Sequence, residues 1–399
     1  MTDKRSSVQA SVQSPSHAGI THSHYLDTAP PKVLSNLLAH ADVRVNGDRP
    51  WDIQVSDPSV YAAVLTRGSL GFGEAYMDGY WECHDLSGLM TRLMHARLDE
   101  RPLGSARLYI AMHYLKARLL NLQSSSRAFQ VGEQHYDIGN DLYEKMLDRH
   151  WCYSCGYWAE ADNLEDAQIA KLDLICRKLK LKPGMTVLEV GCGWGSLAAY
   201  MAKHYGVKVH GITISKEQVK MAKERCAGLP VDIELIDYRE IQGQYDRVVS
   251  VGMFEHVGHK NYDTYFSTLS RCVKPDGLFL LHTIGTEQDG GGVDPWIDRY
   301  IFPNGELPTL PKLVGSCKSY FNVEDLHNFG TDYDKTLMAW WDNFKSSWHS
   351  LAGNYDERFA RMWRYYLMSC AGFFRSKRGQ LWQVVLAPLE SQEVYRSVR

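Results

Sequence analysis

Five short apolar runs, all but the last leading through a turn or a helical segment to the next, limit what the stretch from residue 186 onward can fold into. TVLEV at 186–190 ends in GCGWG and leads into SLAAYMAKHY. VKVHGI leads into KEQVKMAKERCAG, and VDIELI, YDRVVSV and GLFLLHT, the last starting at Gly277, complete the series. Alternation of this kind builds a mainly parallel sheet covered by helices on both faces, so the expected class is α/β, doubly wound. LWQVVLA at 381–387 is a candidate further strand.

The first strand-to-helix turn carries Glu189, Gly191, Gly193 and Gly195. Glycines there let the backbone approach a ligand at the carboxyl edge of the sheet, where open α/β folds bind one. The pattern E-V-G-C-G-W-G is not the dinucleotide fingerprint G-x-G-x-x-G. The second strand ends in Gly211-Ile212-Thr213, without the carboxylate that a nicotinamide cofactor's ribose requires, whereas the third ends at Asp237-Tyr238. These features resemble a class I S-adenosylmethionine-dependent methyltransferase more than a dehydrogenase. Turn glycines with no ligand are the alternative.

A length of 399 residues suggests more than one core. The reading is a polar, Ser-rich tail over 1–25 and a small, mainly helical N-terminal domain over 26–120 that docks lipid or pairs subunits. A catalytic domain then covers 121–399, with an insertion at about 285–380 that shapes a substrate pocket. Within the first of these domains, VRVNGDRPWDIQV alternates around Asn46-Gly47 and predicts a hairpin. Between Arg101 and Arg127 the chain has basic and apolar residues and no Asp or Glu. That composition suits either a basic helix lying on anionic lipid or a linker helix with a solvated face.

The net charge of −3 gives no general reason to expect nucleic acid as partner. The nine cysteines are scattered, and Cys152 and Cys155 lack a second pair at zinc-binding spacing, so no metal is expected and a reducing, cytoplasmic setting fits. No apolar run reaches the roughly 20 residues of a membrane span, so work on lipid is expected from the bilayer surface.

The stretches VGEQHYDIGNDLY, WCYSCGYW, LEVGCGWGSLA, GITISKEQ, SVGMFEHVG, LLHTIG, DPWIDRYIFPNG, FGTDYDKTLMAWW and SCAGFF resemble cyclopropane-fatty-acyl-phospholipid synthase, over about residues 55 to 387. The resemblance implies transfer of the methyl carbon of S-adenosylmethionine to a cis double bond of a phospholipid acyl chain. It places Tyr136, Tyr153, Ser154, Gly191 and Gly193 around the methionine part of the cofactor, Thr213 and Gln218 on the ribose side and Asp237 near adenine. It further implies a bicarbonate ion held by the Cys155 backbone with Glu255, His282, Ile284 and Tyr333, a further active-site cysteine at Cys370, and a homodimer.

Bicarbonate would take the proton lost on ring closure and balance the developing cation. Glu255 facing an anion implies a shared proton or a neutral carboxyl. Tyr300, Phe302, Trp340, Trp341, Phe344, Trp348, Phe373 and Phe374 are candidate walls of a dry acyl channel or plain core. Arg358, Arg361 and Arg364, with Arg375, Lys377 and Arg378, are a candidate patch for an anionic membrane at the inner face of the cell, or a solvated helix face. Two rival functions stand beside this one: a methyltransferase that leaves a methyl or methylene branch, and a noncatalytic lipid-binding protein.

Overall fold

The computed structural model describes residues 29–101, 103–119, 121, 123, 139–287 and 292–399. It begins with α1 (Lys32–His40), β1 (Gln54–Val55), α2 (Ser59–Arg67), α3 (Ser69–Met77), β2 (Trp81–Glu82), α4 (Leu86–His95) and α5 (Ala106–Leu119). The expected hairpin around Asn46-Gly47 does not form. β1 pairs antiparallel with β2 instead, in the register Gln54↔Glu82. Asp52 closes the 44–52 segment as a loop, because its buried carboxylate accepts from the N–H of Arg44 at 2.8 Å and from the Arg49 side chain.

Next come α6 (Asn140–Met146) and α7 (Leu164–Lys178), the latter capped by Asn163, whose side chain accepts from the Asp166 N–H at 3.0 Å. The alternating region follows the sequence: β3 (Thr186–Val190), α8 (Ser196–Tyr205), β4 (Lys208–Thr213), α9 (Lys216–Arg225), β5 (Val231–Leu235), β6 (Tyr245–Val251), α10 (Tyr262–Cys272) and β7 (Val273–Thr286). The remainder holds α11 (Pro295–Tyr300), α12 (Leu310–Cys317), β8 (Phe321–Asn328), α13 (Thr331–Leu351), α14 (Glu357–Arg375) and β9 (Gly379–Pro388).

Seven strands form one sheet in the order β5-β4-β3-β6-β7-β9-β8. The first five are parallel, while β9 runs antiparallel between β7 and β8. The chain steps outward from β3 to β5 and returns to β6 on the other side of β3. The carboxyl ends of β3 and β6 therefore flank the switch point at which such sheets bind ligands.

The early helices share an apolar core with the later ones. One apolar cluster joins Trp81, Leu86, Leu89 and Met90 to Leu142 and Met146 and to Trp340, Trp363, Tyr365 and Phe374. α14 and α4 approach so closely at Gly372 that a Cβ there would stand 2.6 Å from Met90 Cβ and 2.8 Å from the Thr91 nitrogen.

The arginines of the candidate membrane patch have partners within the molecule. Arg358 bonds Asp78 at 2.8 Å, and Arg361 bonds the Tyr76 carbonyl at 2.6 Å and the carboxylate of Glu82. Arg364 bonds the Tyr76 hydroxyl at 3.0 Å, Arg375 holds Asp334 through two bonds of 2.8 Å, and Arg378 bonds Glu100 at 2.9 Å. Their shared partners lie on the early helices and on α13, because α14 is the beam on which both are packed.

Candidate active site

Gly191, Gly193 and Gly195 follow β3 with φ of 83°, 53° and 78°, a left-handed run that glycine adopts without strain. The Ile212 carbonyl accepts from the N–H groups of Gly191 and Cys192 at 3.0 and 2.9 Å and pins the turn to β4. A Cβ on Gly193 would meet nothing within 4 Å, so this backbone faces open space. That space is a cavity lined by Tyr153, Ser154, Gly191, Gly193, Thr213, Gln218 and Asp237. The eighth expected cofactor residue, Tyr136, lies outside the described residues.

Each polar wall of the cavity is held from behind. The Thr213 hydroxyl donates to Gln218 Oε1 at 2.7 Å, and Asp237 accepts from the Arg239 N–H and guanidinium at 2.9 and 2.7 Å. Ser154 Oγ accepts from the buried Lys171 ammonium at 2.9 Å, and the Tyr153 and Tyr366 hydroxyls lie 2.9 Å apart. Glu189, at the floor, is buried, which pushes its carboxyl up to about 8. A glycine cradle, a buried carboxylate at the far end and hydroxyl and amide groups between them fit a nucleoside with an amino-acid tail.

A second group of residues adjoins this cavity. After β6, a short turn over Phe254–His256 carries Glu255 between Met253 and His256, both of which line the cavity. Glu255 Oε1 accepts from the Ile284 N–H at 2.7 Å on β7. His282 and Ile284, two residues apart, point to the same face of that strand. Cys155, Ile284 and Tyr333 pack together with Phe329 and Leu381. The Tyr333 hydroxyl is pushed well up, first by burial and then by Cys155, Glu255 and Cys370, which lie near enough to act on it.

The electrostatics of this space are set by burial. It pushes the Glu255 carboxyl up to about 7 and holds His282 far below its ordinary value, hence neutral. It also drives the Cys155 thiol well up and Cys370 up to about 12, so neither supplies a thiolate near neutral pH. Glu255 Oε2 and His282 Nε2 are among the buried side-chain atoms with no hydrogen-bond partner among the described residues, as are Glu189 Oε2 and Gln383 Oε1. A buried polar atom of this kind can bond a small polar guest.

Tyr153 also touches the aromatic residues considered as channel walls. All eight belong to or pack on the apolar cluster shared with the early helices, and Trp340 lies 5.2 Å from Tyr153 between ring centres. One group with metal-ligand chemistry, Asp148, His150 and Glu165, brings its ligand atoms within 4.8 Å of one another. Asp148 accepts from the N–H groups of His150 and Cys152, Glu165 Oε1 accepts from that of Arg149, and Glu165 Oε2 faces the Arg149 guanidinium at 3.3 Å.

Sequence reasoning missed Lys171, Arg239 and Gln383, the partner of His282. Lys171 had a readable signal, since it falls with Leu164, Gln168, Ile175 and Lys178 at spacings of four and three on the buried face of α7.

The model of the mycolic acid cyclopropane synthetase family matches residues 123–384. The chain belongs to this family. Among curated relatives of this cyclopropane synthetase, the cyclopropane-fatty-acyl-phospholipid synthase of Escherichia coli strain K12 is 53% identical over 363 residues, covering 89% of this chain and 93% of that protein. A probable fatty acid methyltransferase of Pseudomonas putida is 42% identical over 63% of this chain and 67% of its own length. The solved cyclopropane synthase MmaA2 of Mycobacterium tuberculosis superimposes with a TM-score of 0.61 at 31% identity, covering 65% of this chain and 98% of that one. Membership of the cyclopropane synthetase family fixes the fold class as that of the class I S-adenosylmethionine-dependent methyltransferases, with helices added at the N-terminal side.

Proposed function

We propose that this enzyme transfers the methyl carbon of S-adenosylmethionine to a cis double bond in a phospholipid acyl chain and closes a cyclopropane ring, with bicarbonate as the base. The observation that carries the reading is the pair of unpartnered buried atoms, Glu255 Oε2 and His282 Nε2, beside the glycine-lined cavity. The substrate class follows the 53% identity to the phospholipid synthase.

S-adenosylmethionine supplies an electrophilic methyl when bound. The left-handed glycine turn and the Ser154–Lys171 pair would hold its amino-acid end, Thr213 and Gln218 its ribose and Asp237 its base. An alkene is a weak nucleophile, so alignment contributes much of the rate. Once the new bond forms, the neighbouring carbon is positive, and loss of a proton from the added methyl closes the ring. Glu255 with its proton and His282 with an N–H would both donate to an oxyanion there, and the Cys155 backbone and Tyr333 complete its seat. A neutral Glu255 resolves the conflict between a carboxyl and an anion in one pocket. Trp340, Tyr333 and Phe374 would keep out water, which would otherwise quench the cation as an alcohol.

Incubation with an unsaturated phospholipid, with and without bicarbonate, tests this reading by product mass together with the olefinic proton signals of the product. One CH₂ gained with the double bond lost supports it. A gained methyl or methylene branch favours the first rival, and cofactor binding with no turnover favours a lipid-binding protein.

The reading extends to the membrane. No helix of the described residues is long and apolar enough to cross a bilayer. Leu108, Met112 and Leu115 are 64%, 54% and 53% exposed and fall on one face of α5, in a segment with basic residues and no acidic one. This face suits an anionic bilayer at the inner side of the cell membrane, reached from the cytoplasm. Sedimentation with anionic vesicles should lose L108E/M112E. If that variant binds vesicles normally but changes from dimer to monomer, the face instead joins two subunits of the homodimer the family likeness favours.

A further inference from the structure

β7, β9 and β8 set His282, Gln383 and His327 in one row across the sheet, His282 opposite Gln383 in one ladder and His327 opposite Gln383 in the next. Gln383 is fully buried and lies on the strand between the other two, and its Oε1 has no hydrogen-bond partner among the described residues. Its Nε2 stands 3.2 Å from His282 Nδ1.

We infer that Gln383 is a positioning residue that locks His282 in the tautomer with its proton on Nε2, making that N–H a fixed donor into the space beside Glu255. An amide N–H can only donate, so Nδ1 must accept. A neutral imidazole has one ring proton, which then sits on Nε2. Burial, followed by the charges of Lys171 and Lys178, keeps the ring neutral. Nε2 is the ring atom without a partner among the described residues, and its strand neighbour Ile284 already holds Glu255. With the amide turned the other way, Nδ1 would carry the proton and Nε2 would present a lone pair to an anion, which repels it. The identity of the anion rests on the function proposed above; the tautomer does not.

The test uses the full chain labelled with ¹⁵N-histidine, the His282 signals being those lost in H282N. In the unaltered protein they should be those of an Nε2-protonated ring and stay fixed between about pH 6 and 8. In Q383E a carboxylate takes the place of the donor and should move the proton to Nδ1, while Q383M, without a donor, should give a mixture. The bicarbonate needed for half-maximal rate should rise about 10- to 100-fold in Q383E, as expected for a lost bond to a charged group. Cofactor affinity should be unchanged, which separates this loss from misfolding. An Nδ1-protonated ring in the unaltered protein, or a Q383E ring still protonated on Nε2, overturns the inference. If the tautomers behave as stated while bicarbonate affects neither rate nor signals, Gln383 keeps its role and the oxyanion reading falls.

Discussion

Ile284 donates its backbone N–H to one oxygen of Glu255 at 2.7 Å, and the other oxygen of that carboxyl is buried without a partner among the described residues. One bond fixes the group in place, and the open oxygen gives it something to do. Burial pushes this carboxyl up to about 7, against smaller pulls downward from the N–H groups of Ile284 and Glu255 and the Thr283 hydroxyl. The phenols of Tyr262, Tyr265 and Tyr333 around it are all pushed up and stay neutral.

The sign of a pH effect follows. Protonated Glu255 donates to an anion, and ionised Glu255 repels one. Counted as free bicarbonate, the concentration for half-maximal rate should rise as pH passes about 7, by up to about tenfold per unit, and should lose that dependence in E255Q. Stability shifts the same way. A folded value above the usual carboxylic one contributes stability that is complete below about 4.5 and lost as pH rises through about 7. The ligand-free protein should melt at lower temperature at pH 8 than at pH 5, less so in E255Q.

Gly191→Ala should weaken S-adenosylmethionine binding by about tenfold or more. Its φ is 83°, and the added Cβ would stand 2.9 Å from that of Met253. Gly184→Ala is the control, since its φ is 84° with nothing within 4 Å of the new carbon. Titration calorimetry should show cofactor affinity reduced in the first and retained in the second.

Gly372→Val should lower stability by roughly 1–3 kcal/mol or more through overpacking of α14 against α4, read by thermal unfolding. The loss should be accompanied by reduced activity, because the same helix carries Tyr366 and Cys370 beside the site.

The parallel half of the sheet was legible because its central strands are buried on both faces and read as apolar runs, such as YDRVVSV, while the edge strand β5 alternates around a buried Ile233. β8 was not. It is an edge strand whose residues alternate poorly, with Val323 41% exposed and a register shift between Val323 and Asp325. The glycine turn and the carboxylate of Asp237 were readable from position alone. Glu255, His282, Tyr333 and Cys155 come from four separate segments, and only a family likeness could gather them. Gln383 was hidden for the opposite reason: a glutamine within the apolar run LWQVVLA gives no hint of its neighbour across the sheet. The acids paired with the basic run on α14 were not readable, because charge in a sequence does not say which acids lie across the fold.

Arg375→Glu should therefore destabilise the chain rather than weaken vesicle binding. It sets a carboxylate against Asp334, which Arg375 now holds through two bonds of 2.8 Å. Because both side chains are partly exposed, the loss should be modest, about 1–2 kcal/mol. Chemical denaturation and vesicle sedimentation on the same preparation separate the two effects.

β9, which joins β7 to β8, is the latest strand in the chain. Without β9, β7 keeps a bare edge and His282 has no amide behind it. A chain cut short before Gly379 should therefore transfer nothing.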